Sequence, residues 1–214
     1  PHFSETVMIK TERNDDEFHN KKGQPMKKQT WKVQDLTLCA LFTALTAIGA
    51  FIQINIPVEP IPMHFTLQFF FALLAGFLLG GKLGSLSIGI YLMIGLCGVP
   101  IFASGGGHPT VKTTFGFLLG FFLAAGVVGM LTDRFAPKRF LTYFFISMAG
   151  LFVMYLSGNL YFYFVSNYIA HITVSWKIVL INCFLLTVAG DFVLCVLSAI
   201  AAQRLTIIMR KILH

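Results

Sequence analysis

The chain has 214 residues, of which 56% are hydrophobic and 12% charged, and its mean hydropathy is +0.76. This composition excludes a soluble globular domain, whose surface must carry more charge. The formal net charge of +7 does not indicate nucleic-acid binding, because the basic residues are spread over separate loop positions. The sequence therefore predicts an all-α polytopic membrane protein with room for about six helices of ~20 residues each, and no separate nucleotide-binding domain.

The N-terminal tail, residues 1–32, is polar and lacks the apolar core of a signal peptide. We expect it to be disordered, or partly a product of cloning, and to precede a membrane-embedded substrate-binding domain at residues 33–214. The four cysteines lie within apolar runs, without a CxxC pair or a neighbouring His cluster. They are expected to act as small hydrophobic residues, and neither a metal site nor a cofactor is predicted.

Apolar runs follow the tail and are separated by breaks that contain Pro, Gly or charged residues. We predict one transmembrane helix for each run, and the second, third and fourth runs are short or rich in glycine. The six runs are Leu36–Ile56, Phe65–Gly80, Leu83–Phe102, Phe115–Leu131, Phe140–Val165 and Ile178–Leu205.

Basic residues are distributed unevenly among the breaks. Of the 16 Lys and Arg residues, all but Lys112 and Lys177 fall in the N-terminal tail, after the second and fourth runs, or toward the C-terminus. Because basic loops resist translocation, this pattern predicts that both termini are cytoplasmic. The breaks after the first, third and fifth runs then face outward, and the sequence predicts a substrate pocket on that side.

The first run carries small residues at helical spacing. Ala40, Ala44 and Ala47 lie on one face of the predicted helix, and small side chains allow another helix to approach closely. Such a face serves either packing within the bundle or docking of a partner, and the spacing does not separate the two.

The outer break after the third run contains the glycines Gly105, Gly106 and Gly107, followed by Lys112. Glycine backbone can approach a ligand closely and present N–H groups, and a lysine at this position could meet an anion arriving from outside. The alternative interpretation is a flexible surface loop with a solvated lysine.

Asp191 is the most informative residue, because it lies near the middle of the last apolar run. An ionised carboxylate there costs about 2.5 to 3.5 kcal/mol, so it is expected to face the protein interior and to have a partner. The sequence favours a pocket role over a purely structural hydrogen bond. Asn159 in the fifth run is a second buried polar candidate, with helix packing as the alternative.

Several motifs in register resemble the BioY family, the biotin-specific substrate-binding (S) components of energy-coupling-factor (ECF) vitamin transporters. The resemblance extends from Leu36 to Leu205. The motifs are Ile56–Gln68, Leu74–Gly80, Gly84–Ser87 with Tyr91-Leu92, Gly98–Ala103 with the glycine run, Thr114–Phe121 and Gly190-Asp191.

The resemblance implies a six-helix component of the bacterial cell membrane that binds biotin at its outer side, under a lid formed by Pro57–His64. It also implies a transmembrane coupling protein and two cytoplasmic ATPase subunits as partners, with no enzymatic activity in this chain. The AxxxA seam that contacts the coupling protein in this family is matched by Ala40 and Ala44.

Two positions depart from the family pattern. Leu194 stands where many members have a Lys one turn after the Gly-Asp pair, and Leu118 stands where many have an Arg. The carboxylate of biotin needs a cation or several N–H donors, and Lys112 with the glycine backbone is expected to supply them. Asp191 is expected to contact the ureido ring, and Phe117 and Tyr155 to form apolar walls.

Three alternatives stay open at this stage. The cargo could be another vitamin-like carboxylic acid such as lipoate, because the cationic pattern is atypical. Serines at Ser104 and Ser157 permit the hypothesis of an intramembrane hydrolase. A helix bundle with a purely structural role would leave Asp191 important for stability alone.

Overall fold

A computed structural model of the chain describes residues 33–56, 63–103, 115–171 and 173–213. The tail, the loop 57–62 and the glycine-rich loop 104–114 lie outside these ranges, so the domain division stays a prediction. The helices are α1 (Val33–Phe51), α2 (Gln68–Leu96), α3 (Phe115–Phe135), α4 (Phe140–Phe164), α5 (Trp176–Val179) and α6 (Val188–Leu213), with π-helical turns at Val165–Ile169 and Leu180–Leu185.

A small β-hairpin separates α1 from α2. Its strands, β1 (Gln53–Ile56) and β2 (Met63–Thr66), are antiparallel, and Gln53 is paired with Thr66. The predicted lid, Pro57–His64, therefore includes the first two residues of β2, while the rest of it lies outside the described residues.

Helix α2 covers most of the second and third predicted runs and reverses direction at Gly80. Gly80 has φ 77° and ψ 179°, a conformation that favours glycine, and the next N–H, of Gly81, donates a hydrogen bond to the carboxylate of Asp133 at 3.1 Å. A Cβ at Gly84 would lie 2.9 Å from the carbonyl oxygen of Ala75. The two arms of α2 therefore pack against each other.

Contacts between helices show which ends lie together. Gly80 contacts Asp133, which places the bend of α2 beside the end of α3. Tyr155 bonds Asp191 whereas Ser147 bonds Ser198, so α4 and α6 are antiparallel. Five of the described basic residues consequently belong to one end of the bundle: Lys82, Arg134, Lys138, Arg139 and Arg204.

Five of the described helices are long and apolar enough to cross a membrane: Val33–Phe51, Gln68–Leu96, Phe115–Phe135, Phe140–Ile169 and Val188–Thr206. The prediction of a helical, multi-pass membrane protein is confirmed. The count of six crossings and the cytoplasmic location of the termini stay predictions. The last predicted run is not one uniform helix, because the π-helical turn and Thr187 precede the start of α6 at Val188.

Helix α3 lies at the centre of the bundle because its small residues let neighbouring backbones approach. Ala124, Ala125 and Val128 are fully buried. A Cβ at Gly129 would lie 2.3 Å from the backbone nitrogen of Gly81. Since a backbone atom cannot move aside as a side chain can, this crossing of α2 and α3 requires glycine.

We predict that Gly129→Ala lowers the stability of the bundle by about 1 to 3 kcal/mol, because the added methyl group forces α2 and α3 apart. The measurement is thermal unfolding of the purified protein in detergent. Gly89→Ala is the matched control, since its Cβ would meet only the ring edge of Phe122 at 3.3 Å. Equal melting temperatures for the two variants would contradict this packing.

Candidate ligand-binding site

A cavity lies at the end of the bundle opposite the basic residues, and it measures about 730 Å³ including its open mouth. Its lining comes from β2, α2, the segment that follows α2, α3, α4 and the region around the start of α6: Phe65, Thr66, Gln68, Phe69, Phe102, Ala103, Phe117, Leu118, Phe121, Met154, Tyr155, Cys183, Thr187 and Asp191.

Asp191 is buried in this cavity, with 6% of its surface exposed. The Tyr155 hydroxyl donates a hydrogen bond to its Oδ2 at 2.5 Å, and that hydroxyl also lies 2.8 Å from Thr187 Oγ1. Thr187 in turn donates to the carbonyl of Cys183 at 2.9 Å. Within the described part of the chain Oδ1 accepts no hydrogen bond, so this oxygen can accept one from a ligand.

The position of Asp191 differs from the sequence-based expectation. It lies in the first turn of α6 rather than in the middle of a helix. The π-helical turn Leu180–Leu185 precedes α6, and both Cys183 within it and Thr187 after it line the cavity. The carboxylate is thereby placed where the helical path changes, and the Tyr155 hydroxyl links it to Thr187.

The electrostatics of the cavity are dominated by this one carboxylate. Among the described lining residues Asp191 is the only acid or base, and Leu118 forms part of the wall. Leu194, one turn below Asp191, is buried in the hydrophobic core. A carboxylate removed from water is stabilised by N–H or O–H donors when no cation is present. This wall therefore suits a mostly apolar ligand that donates hydrogen bonds.

Phe117 and Tyr155, which were predicted to form apolar walls, line the same cavity as Asp191. The ring of Phe117 lies edge-on to that of Tyr155, with centroids 6.4 Å apart, and Phe184 contacts the same Tyr155 ring at 5.0 Å. Tyr155 is more than an apolar wall, because its hydroxyl is the hydrogen-bond donor to Asp191.

The β-hairpin is seated directly beside Asp191. Phe65 of β2 lines the cavity, and a Cβ at Gly190 would lie 2.6 Å from its ring. A side chain at residue 190 would therefore displace Phe65. Glycine before Asp191 therefore allows Phe65 of β2 to pack against the start of α6.

Gln68 and Thr66 were not singled out as site residues by the sequence. Gln68 begins α2 and is 1% exposed. Its Oε1 accepts from the Thr66 hydroxyl at 3.2 Å, and its Nε2 donates to the hydroxyl of Tyr91 at 2.6 Å. An amide at the start of an apolar helix was the available signal, but the partner Tyr91 is 23 residues away in the chain.

Other predicted site residues have different outcomes. Asn159 does not line the cavity, and its Oδ1 is buried with no hydrogen-bond partner in the described structure. Ala40 and Ala44 are exposed, and Ala47 is half-buried. Gly105, Gly106, Gly107 and Lys112 lie outside the described residues. A group of three His, Cys, Asp or Glu side chains able to hold a metal does not occur in the described ranges.

Comparisons with known proteins agree with one another. The model of the BioY family matches residues 24–211. A protein of Lysinibacillus sphaericus named probable biotin transporter BioY is 40% identical over 82% of this chain and 88% of its own length. The biotin transporter BioY of Thermotoga maritima is 38% identical over 65% of this chain and 78% of its own.

A solved structure has the same fold. It is the S-component for biotin from an ECF-type ABC transporter, and it superimposes with a TM-score of 0.71. The match covers 85% of this chain and 95% of the solved one, at 24% sequence identity. At this level of identity the similarity concerns the fold.

Proposed function

The chain belongs to the BioY family, and we propose that it captures biotin at the outer face of the bacterial cell membrane as the S component of an ECF-type uptake transporter. The observation that carries this proposal is the buried Asp191 in the wall of a mostly apolar cavity, with Oδ2 held by Tyr155 and Oδ1 accepting no hydrogen bond within the described residues. The ureido ring of biotin offers an N–H group to such an oxygen, and its thioether ring and alkyl chain match the aromatic walls.

The alternative cargo and the alternative class fit the site less well. Lipoate has a dithiolane ring without N–H groups, so it would leave Oδ1 of Asp191 without a hydrogen bond. For an intramembrane hydrolase, Ser157 would have to act as a nucleophile, but its hydroxyl donates to the carbonyls of Val153 and Met154 in its own helix. The relatives named above are transporters rather than enzymes.

We propose that the valerate carboxylate of biotin reaches the loop 104–114 and is bound there by Lys112 and by the N–H groups of Gly105, Gly106 and Gly107. Both ends of this loop lie at the site. Ala103, immediately before it, lines the cavity, and Phe115, immediately after it, packs edge-on against the lining residue Phe102 with centroids 6.3 Å apart. Asn159, one turn from Tyr155, is proposed as a further polar contact.

The transport partners are proposed to be a transmembrane coupling protein and two cytoplasmic ATPase subunits. Ala40 and Ala44 are exposed on α1, where a helix of another protein could approach closely. The basic end of the bundle is proposed to be cytoplasmic, with six crossings when the two arms of α2 are counted separately. The binding domain is proposed to comprise residues 33–214, preceded by the tail 1–32.

We predict that Asp191→Asn weakens biotin binding roughly tenfold to a hundredfold, because a neutral amide is a poorer acceptor and presents an N–H donor that can face the ureido N–H groups. The measurement is calorimetric titration of the purified chain in detergent with biotin and, in parallel, with lipoate. Asp133→Asn, at the opposite end of the bundle, is the control. Unchanged biotin affinity in Asp191→Asn would contradict the assignment, and tighter binding of lipoate than of biotin would favour the other cargo.

The role of Lys112 predicts a different pattern. Lys112→Met should weaken the binding of biotin roughly tenfold and leave that of biotin amide nearly unchanged, because the amide carries no negative charge for the lysine to pair with. Lys177→Met is the control, as it removes the other lysine from the predicted outer side. Equal losses for the two ligands would show that Lys112 does not contact the carboxylate.

The docking surface on α1 can be tested independently of binding. Substitution of Ala40 and Ala44 by Leu should abolish co-purification with the coupling protein, because the larger side chains keep the partner helix away, and biotin affinity should stay within about twofold. The exposed Val193 on α6, changed to Leu, is the control. Normal assembly of the Ala40→Leu/Ala44→Leu variant would rule out this face.

A further inference from the structure

We propose that a second residue of the cavity wall recognises the ligand: Gln68 donates a hydrogen bond to the carbonyl oxygen of the ureido ring. This inference rests on the proposed capture of biotin and adds a specificity-determining residue to it. Gln68 lines the same cavity as Asp191 and is almost completely buried. Its amide is also held by neighbours on both sides.

The orientation of the Gln68 amide follows from its hydrogen-bond partners. The carbonyl of Ile101 can only accept, so the Tyr91 hydroxyl donates to it, at 3.0 Å. The oxygen of Tyr91 must then accept its bond from Gln68 Nε2, and the Thr66 hydroxyl donates to Oε1. The direction of this chain of hydrogen bonds fixes which end of the amide is nitrogen.

One N–H group of Gln68 remains without a partner. The amide nitrogen carries two hydrogens, and Tyr91 receives one of them. Gln68 makes no further donated hydrogen bond within the described ranges. Because the side chain is held by Thr66 and Tyr91, the second N–H is fixed in direction before a ligand arrives, which reduces the entropy lost on binding.

The other donors in the cavity wall are already engaged. The single hydroxyl hydrogens of Tyr155, Thr66 and Thr187 are donated to Asp191, to Gln68 and to the carbonyl of Cys183 respectively. Among the described lining side chains this leaves the second N–H of Gln68 and the thiol of Cys183, and a thiol is a weak donor. Gln68 is therefore the strong side-chain donor that these walls can offer to a ligand.

A cyclic urea requires both kinds of partner. An N–H group of the ring needs an acceptor, which Asp191 supplies, and the carbonyl oxygen needs a donor. A carbonyl buried without a donor loses the hydrogen bonds that it made with water, and this loss lowers affinity. Gln68 and Asp191 together would recognise the donor and the acceptor groups of the same ring.

The test compares biotin with 2-iminobiotin, in which a protonated imino group that cannot accept a hydrogen bond replaces the carbonyl oxygen. Affinities of the full chain in lipid nanodiscs are measured by calorimetry. Gln68→Met keeps the length of the side chain and removes its donors. It should weaken biotin binding roughly tenfold to a hundredfold and change that of 2-iminobiotin by less than about threefold.

Two further variants separate recognition from packing. Tyr91→Phe removes the anchor but leaves the N–H groups of Gln68, so the loss of biotin affinity relative to that of 2-iminobiotin should be smaller than in Gln68→Met. Gln68→Glu can still accept from Thr66 and Tyr91 but presents oxygen to the ligand. Gln68→Glu should favour 2-iminobiotin over biotin more strongly than Gln68→Met does. If Gln68→Met does not fold, the ratio of the two affinities in Gln68→Glu tests the role of Gln68 instead.

The outcomes distinguish this inference from the proposed function. A wild-type chain that binds no biotin would overturn both. If the wild-type chain binds biotin and the Gln68 variants weaken both ligands by the same factor, Gln68 has only a structural role and this inference alone fails. A selective loss of biotin affinity in Gln68→Met that exceeds the selective loss in Tyr91→Phe supports it.

Discussion

The hydrogen bond between Tyr155 and Asp191 joins α4 to α6 at the cavity. In a bilayer, a buried carboxylate has no bulk water to solvate it, so its position in the chain is tolerated only when protein groups supply hydrogen bonds. Three features of the fold meet near this carboxylate. They are the contact of α4 with α6, the π-helical turn before Thr187, and the packing of Phe65 against Gly190. The consequence is a carboxylate in the cavity wall with one oxygen held by Tyr155.

The cavity also illustrates how a membrane protein can bind a polar ring in apolar surroundings. Leu118 in the wall and Leu194 below it contribute no charge. In the proposed function, recognition of the ureido ring therefore depends on a few fixed hydrogen-bonding groups. Lysine and arginine are absent from the described wall. Fixed donors and acceptors lose little entropy on binding and discriminate strongly against ligands that leave them unpaired. Such walls discriminate by the pattern of donors and acceptors on the ligand.

Three residues of the described cavity wall, Asp191, Phe117 and Tyr155, could be predicted from the sequence. Asp191 was identifiable because burying a carboxylate within an apolar run costs free energy, whichever residue begins the helix. Phe117 and Tyr155 followed from the family resemblance. Gln68 was missed because an amide carries no charge, and its significance depends on Tyr91, which the bend at Gly80 brings back toward it. Asn159 was predicted to line the site, but the described structure does not place it on the cavity wall.

The sequence by itself determined that the chain is a multi-pass helical membrane protein, because hydropathy and length depend on composition along the chain and not on its folding. The tertiary structure decided what surrounds Asp191. Hydrogen bonds such as those of Tyr155 with Thr187 and of Gln68 with Tyr91 join residues 32 and 23 positions apart. Such contacts arise from the antiparallel packing of helices and from the reversal at Gly80, and helical periodicity reports only which residues share a face of one helix.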